Sequence, residues 1–155
     1  MKKQIKKSEL ARVRAPKGYR FEIIPPETKG YYAYVKLYKK GVHHPIGRIS
    51  LEPHSNDKYV THSTLDEPYH GKGLGALMYA RAIQWCLDNG YKVSSSSSPS
   101  SLAQRVWGGS SLRRYFSIRR AGNDGDYYKT WSVLKQKKKP TVKVAAKTKA
   151  RKKSK

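Results

Sequence analysis

Acidic residues are scarce in this sequence. Asp and Glu number 10 against 34 Lys and Arg in 155 residues, a formal charge of +24. Such a balance excludes a neutral metabolic enzyme of ordinary surface and points to polyanionic partners. Cysteine occurs once, as Cys86, so no disulfide can close within the chain and a secreted disulfide scaffold is excluded. Long hydrophobic runs are missing too. The most apolar stretch, Leu74 to Leu87, is shorter than a membrane span and carries Arg81 and Gln84. Met1-Lys2-Lys3 opens like a secretory leader, but no apolar segment follows it. The expectation is a cytoplasmic protein with no membrane partner, of a length that suits one compact domain with appendages.

What is abundant is positive charge, and it is uneven. Residues 1–20 hold eight basic residues against Glu9 (+7), residues 135–155 hold eleven against none (+11), and residues 21–134 carry only +6. Three parts follow: a basic N-terminal arm (1–20), a folded domain (21–134) and a Lys-rich tail (135–155). The tail has almost nothing to bury, so ordering it would cost roughly 1–2 kcal/mol per residue without return, and disorder is expected from about Lys135. Lys137, Lys138, Lys139, Lys152 and Lys153 are the expected contacts to nucleic acid or another polyanion, since each lysine near a phosphate releases a counterion. A plain solubility tail and an acidic protein partner are the other readings.

Within the domain, Phe21 to Ile24, Tyr31 to Tyr38 and Pro45 to Leu51 read as strands, the last two as an antiparallel hairpin about Lys39-Lys40-Gly41. Pro53 to Asp57 reads as a polar loop and Lys58 to Leu65 as a further strand. Apolar residues at 74, 77, 78, 82, 85 and 86 recur near helical spacing, so a helix is expected over Leu74 to Asn89, stopped by Gly90. Tyr91 into the serine run is a strand, and Ser98-Pro99 starts a short helix to Trp107. Tyr115 to Arg120 and Tyr127 to Leu134 close a mixed α/β sheet.

The glycine loop His70-Gly71-Lys72-Gly73-Leu74-Gly75 lies between a strand and that helix. Unpaired first-turn amides and unblocked glycine backbone make such a loop a phosphate cradle. No Gly-x4-Gly-Lys-Ser/Thr string is present. Gly71, Gly73 and Ala76 formally match a dinucleotide fingerprint, but the next strand ends in serines where a carboxylate is needed. A glycine-rich helix start without a ligand is the plainest alternative.

The segment LDEPYHGKGLGALMYARAIQWCLDNGYKV resembles motif A of the GNAT superfamily of acyl-CoA-dependent N-acyltransferases, whose core is Arg/Gln-x-x-Gly-x-Gly/Ala; His70, Gly73 and Gly75 fill it. The resemblance covers about residues 21–134, with motif-level signal in 58–116. It implies a GNAT-like fold: a single mixed, splayed sheet flanked by helices, with a shortened region between the first two strands. It further implies acetyl-CoA as acyl donor, with no metal. The cofactor would be held at Thr64, Leu65, His70, Gly71, Lys72, Gly73, Leu74, Gly75 and Ala76. The amides of Gly71 to Gly75 would meet the pyrophosphate, and the backbone around Thr64 and Leu65 would pair with the pantetheine arm. The thioester would lie where strand Tyr91 to Ser96 diverges from Lys58 to Leu65, with an amide near Leu65 facing the developing oxyanion. The serine strand with Ala103-Gln104-x-x-Trp107 also resembles small acetyltransferase-like proteins of tailed bacteriophages, which would place the chain in a host cytoplasm.

Several positions depart from the family pattern. Where Asn-x-x-Ala-x-x-x-Tyr is usual, this chain has Ser100 at the first place and Trp107 at the last, and Trp cannot titrate as an acid. Ser100, Tyr115 or water could take that role. His70 replaces Arg or Gln, with Lys72 as a nearby point charge. Only Pro25 to Gly30 separates the first two strands, where the family places helices that wall the acceptor pocket. A shallow, open site follows, suited to a protruding amine on a macromolecule. The candidate bases are His62, Glu52 and His54, with Asp66 and Glu67 as turn-shaping alternatives. His54, His62 and His70 recur every eight residues without ligand spacing, so no metal is expected. Cys86 reads as a core filler. A catalytically weak or inactive member of the same fold, binding nucleic acid or a host protein, is the second functional reading. Composition and spacing leave the oligomeric state open.

Overall fold

The computed structural model describes residues 12–28, 30–55, 57–96, 101–121 and 130–137. Seven strands form one sheet: β1 (Tyr19–Ile24), β2 (Ala33–Lys39), β3 (Gly47–Ser55), β4 (Lys58–Leu65), β5 (Lys92–Ser95), β6 (Phe116–Ala121) and β7 (Thr130–Gln136), in the order β1-β2-β3-β4-β5-β7-β6. The first four make an antiparallel meander. β5 lies parallel to β4 after helix α1 (Leu74–Asp88), and β7 returns antiparallel to both β5 and β6. A second helix, α2 (Ser101–Gly108), follows β5. The mixed, splayed sheet with flanking helices is as expected, and no helix occurs among the described residues between β1 and β2.

The alternation in β2 explains why the layers form. Ala33, Val35 and Leu37 are fully buried, while Tyr34, Lys36 and Tyr38 between them are not. Ile49 and Leu51 of β3 share the buried face, and α1 lies on it with Met78, Ala82, Ile83 and Cys86 turned inward. Each fully buried Leu or Ile side chain contributes about 1.5–3 kcal/mol here. The helix comes close because Gly47 has no side chain: a Cβ there would stand 2.5 Å from Met78 Sδ and 2.9 Å from Leu65 Cδ1.

The basic N-terminal stretch is tied down where it is described. Val13 is buried, and Arg12 donates to both carboxylate oxygens of Asp88 at 3.0 and 2.8 Å. That cation sits at the negative end of α1, beside an aspartate that the helix dipole disfavours. The hydrogen bond to Asp88 in turn raises the Arg12 pKa.

Strand starts shift by two residues from the sequence expectation in β1 (Tyr19 for Phe21), β2 (Ala33 for Tyr31) and β3 (Gly47 for Pro45). Two strand ends also differ, with a physical reason. β3 continues through Pro53 to Ser55, where a polar loop was expected, with a bulge between Pro53 and Ser55. Proline is tolerated there because β2 stops pairing at Leu51, so its missing N–H faces an unpartnered side. β7 runs to Gln136, past the expected domain edge at 134, and the Lys137 amide donates to Tyr115. Residues 138–155 and 1–11 lie outside the described residues, and so do Lys138, Lys139, Lys152 and Lys153.

Gly47→Ala is expected to lower stability by about 1–3 kcal/mol through overpacking against Met78. A drop in the urea midpoint with an unchanged slope would register it; an unchanged midpoint would mean that the helix has slack at this crossing.

Candidate active site

The site begins where two strands of unequal length part. β4 has eight residues and β5 four, and their parallel pairing runs only from Lys58↔Lys92 to Thr61↔Ser95. Beyond it β4 continues to Leu65 without β5. Extended backbone presents its N–H and C=O groups to alternate sides. The Asp66 amide donates to Ile46 on the β3 side, and Asp57 accepts from Lys92 on the β5 side. Even-numbered residues of β4 therefore face β3, and odd-numbered ones face β5 or the opening. Thr64, expected to meet a pantetheine arm, has its backbone turned to its β3 partner Arg48. Leu65 does face the opening, joined by Ser63, which sequence reasoning missed because the facing edge is set by the pairing with β3.

His70 closes the upper end. Its Nε2–H donates to the Leu65 carbonyl at 2.7 Å, stapling the glycine loop to the strand. That bond occupies one ring nitrogen of the residue expected to replace a phosphate-binding Arg or Gln. With Nε2 engaged, Nδ1 could donate only in the imidazolium form.

The loop then delivers a row of amides. A 3-10 turn over Glu67–Tyr69 ends with the His70 amide on Glu67, and the next backbone bond is Leu77 N–H to Gly73 at 3.3 Å. Between them, the amides of Gly71, Lys72, Gly73, Leu74, Gly75 and Ala76 find no backbone acceptor among the described residues, and no side chain caps the helix. Gly71 and Gly73 have φ of +78° and +77°, which disfavours any other residue. Gly75 is different. It sits in the first helical turn, where glycine costs about 1 kcal/mol relative to alanine. A Cβ there would meet nothing nearer than Val106 Cγ2 at 4.0 Å. Neither conformation nor packing within the protein requires it, and the space its side chain leaves empty adjoins the free amides. The residues present therefore fit a diphosphate-bearing group: Gly71 to Ala76 as donors, with the exposed Lys72 beside them.

On the α1 side of the opening, the Tyr79 hydroxyl donates to Ser63 Oγ at 2.8 Å, and burial raises its pKa. Trp107 packs edge-on against Tyr79 at 5.8 Å, fully buried, and its indole N–H finds no partner among the described residues. Cys86 is buried, with its thiol pushed up to about 12 by desolvation, so it is a filler without nucleophilic character.

On the other face lies a cavity of about 340 Å³ lined by Glu52, His54, Lys58, Val60, His62, Ser94, Ser95, Ser96 and Ser132. Two candidate bases meet there. His62 Nε2–H donates to Glu52 Oε2 at 2.7 Å, both side chains being near half exposed. His62 is the first β4 residue past the last β5 partner, which sets the pair at the mouth of the parting. The bond from His62 is the main cause holding the Glu52 carboxyl below its ordinary value, assisted by a hydrogen bond from Tyr32. The Tyr32 hydroxyl is raised, by desolvation first and then by Glu52. Asp66 is drawn instead toward His44 at 3.7 Å. Ser100 lies outside the described residues. Among the described residues no three His, Cys, Asp or Glu side chains gather as a metal group.

No curated protein matches the sequence. Among solved structures, a ribosomal-protein-S5-alanine acetyltransferase from Vibrio fischeri is similar at 18% identity and TM-score 0.47, over 70% of this chain and 64% of that one. A ribosomal L7/L12 alpha-N-protein acetyltransferase in complex with coenzyme A aligns at 16% identity and 0.47, over 69% and 63%. A cAMP-binding acyltransferase from Mycobacterium smegmatis aligns at 12% and 0.50, over 70% of this chain but only 33% of its own. The chain thus spans less than two thirds of each of these proteins, and likeness at such identities speaks to fold alone. The profile of the Acetyltransferase (GNAT) family matches residues 7–105, from the N-terminal arm through the glycine loop and into α2. With that match across most of its length, and with the splayed strands and bare helix start just described, the chain belongs to the GNAT acetyltransferase family.

Proposed function

We propose that this protein transfers an acetyl group from acetyl-CoA to an amine carried by a macromolecule. The observation that carries the reading is the opening between β4 and β5 past Thr61 and Ser95, set beside six unpaired amides at Gly71 to Ala76. Bound there, acetyl-CoA would supply a thioester carbonyl as electrophile. The loop amides and Lys72 hold phosphate charge, and the odd-facing backbone of Ser63 and Leu65 offers hydrogen bonds along the opening. The Leu65 N–H is the natural oxyanion donor, because its carbonyl is already committed to His70. Glu52 orients His62 through Nε2, leaving Nδ1 of the neutral ring as the acceptor for the proton of the attacking amine. The macromolecular acceptor is supported by the cavity's open setting on a sheet face with no helix between β1 and β2 to wall it. The Lys-rich tail, Lys137 onward, adds sequence-blind attraction to polyanions. A catalytically inactive binding protein is the weaker reading, since no described observation favours it: the amides are free and a base pair stands at the opening.

Calorimetric titration with acetyl-CoA should give saturable heat that Gly73→Val abolishes; no heat from the parent protein would overturn the reading. His62→Ala should retain that heat while turnover of an amine acceptor falls by about 10²–10⁴, and unchanged turnover would remove the base assignment. A free small amine outcompeting protein or nucleic-acid amines would overturn the macromolecular acceptor.

Because the folded Glu52 carboxyl is depressed, its contribution is complete above the ordinary carboxylate range. It is lost as pH falls through the lowered folded value. In a carbon-detected NMR titration, the Glu52 midpoint should move upward in His62→Ala; an unmoved midpoint would contradict the pairing.

Deleting residues 138–155, which leaves β7 whole, should weaken oligonucleotide binding and flatten its salt dependence. An unaltered salt slope would show that the tail makes no contact.

A further inference from the structure

Apart from Glu52 at its edge, which pairs with His62, the residues of one sheet face have no place in the transfer chemistry. α1 covers the side of β2 and β3 that carries Val35, Leu37, Ile49 and Leu51. The opposite side of β1, β2 and β3 has no helix over it among the described residues. None of residues 34, 36, 38, 48, 50 and 52 on that side is buried. That side carries Tyr34, Lys36 and Tyr38 on β2 and Arg48, Ser50 and Glu52 on β3.

The strand registers set them in rows. Lys36 and Arg48 are direct cross-strand partners, so two positive charges stand side by side, an arrangement that destabilises a sheet unless an anion lies between them. Glu22 opposes Lys36 from β1, but it is shared with Arg20 at 4.0 Å. A depression of about 210 Å³ adjoins both Lys36 and Arg48. In the next row Tyr34 opposes Ser50, and Ser50 opposes His62. Tyr34 already stacks with Tyr32 at 6.2 Å and 22°, and Arg48 lies over the Tyr34 ring at 5.4 Å. Tyr32 keeps 44% of its surface exposed. Farther along, Arg20 covers the Tyr38 ring at 4.2 Å.

We infer that this face binds single-stranded nucleic acid, with bases stacking on Tyr32 and Tyr34 and phosphates held between Lys36 and Arg48. Aromatic rings interleaved with cations on an open sheet are what single strands need, because every base has a π-face and every linkage a negative charge. An acidic polypeptide would satisfy the cations but make no use of the rings. The inference does not depend on acyl transfer.

Full-length protein and a fluorescently labelled oligothymidylate, read by anisotropy, test it. The double variant Tyr32→Ala, Tyr34→Ala should lose affinity by about tenfold or more. Its affinity for inorganic polyphosphate, charge without bases, should change less than threefold. Arg48→Ala should weaken both probes and reduce the salt slope by about one. Equal losses for oligonucleotide and polyphosphate, no loss for either, or polyglutamate competing as well as the oligonucleotide would each overturn the inference. Should the tyrosine variants fail to fold, the parent protein decides. Photocrosslinking to a 5-iodouridine-substituted single strand should place adducts on the peptide containing Tyr32 and Tyr34, and adducts confined to the two basic ends would overturn it.

Discussion

The acyl-transfer reading of this chain depends on where a parallel strand pair stops. Thr61 is the last β4 residue with a β5 partner, and its hydroxyl adds a bond to the Ser94 carbonyl at 3.2 Å. On its other edge β5 is held by β7: Ser94 pairs with Ser132, and Ser95 Oγ accepts from the Trp131 amide at 2.9 Å. β4, for its part, has its even-numbered backbone occupied by β3 on the side away from the parting, while Tyr79 holds the Ser63 side chain and His70 the Leu65 carbonyl. Each strand is thus drawn toward partners that lie apart, and strand twist carries the two further from each other. The opening lies between two strands that are each held by partners on their far edges.

The same geometry separates two kinds of chemistry. Odd-numbered β4 side chains lie with α1, where Tyr79 and Trp107 form a dry wall. Even-numbered ones lie on the open face, where His62 meets Glu52 within reach of solvent. A proton can leave toward water only on the second side. The first side offers fixed donors and excludes water, which strengthens any hydrogen bond made there. An acyl transfer needs both environments about one carbonyl, and a strand whose successive residues alternate between them supplies both within a few residues.

Much of this was legible in the sequence because it rests on local pattern. The strand Lys58–Leu65 and the helix from Leu74 were readable to within a residue, since alternation and helical spacing are local properties. The glycine loop was readable because its conformational demands are local too. What was not legible depended on register. Nothing within Pro53 to Ser55 shows that β2 has already ended, so a strand passing through proline read as a loop. Glu52 and His62 were separate candidates; only the β3–β4 pairing brings residues ten apart in sequence to 2.7 Å. Thr64 and Ser63 are equally plausible as sequence, and the choice between them follows from which edge of β4 is occupied. The motif position of His70 says nothing of its bond to the Leu65 carbonyl, which only the folded loop brings within 2.7 Å.

The substitution of Trp107 for the family's usual tyrosine bears on how the two faces share the reaction. The Trp107 indole N–H is fully buried with no partner among the described residues, an arrangement that costs about 1–3 kcal/mol. It can donate a hydrogen bond but never a proton. The neighbouring titratable group, Tyr79, is raised by burial and keeps its proton through the neutral range. On the α1 side, then, no described group beside the opening exchanges protons near neutrality, and a departing thiolate would meet hydrogen-bond donors only. Under the acyl-transfer reading proposed above, the proton balance would fall to the open face, where His62 and Glu52 stand beside solvent. Trp107 in the tyrosine's place would then put the acid–base work across the sheet, on the exposed, unwalled acceptor side.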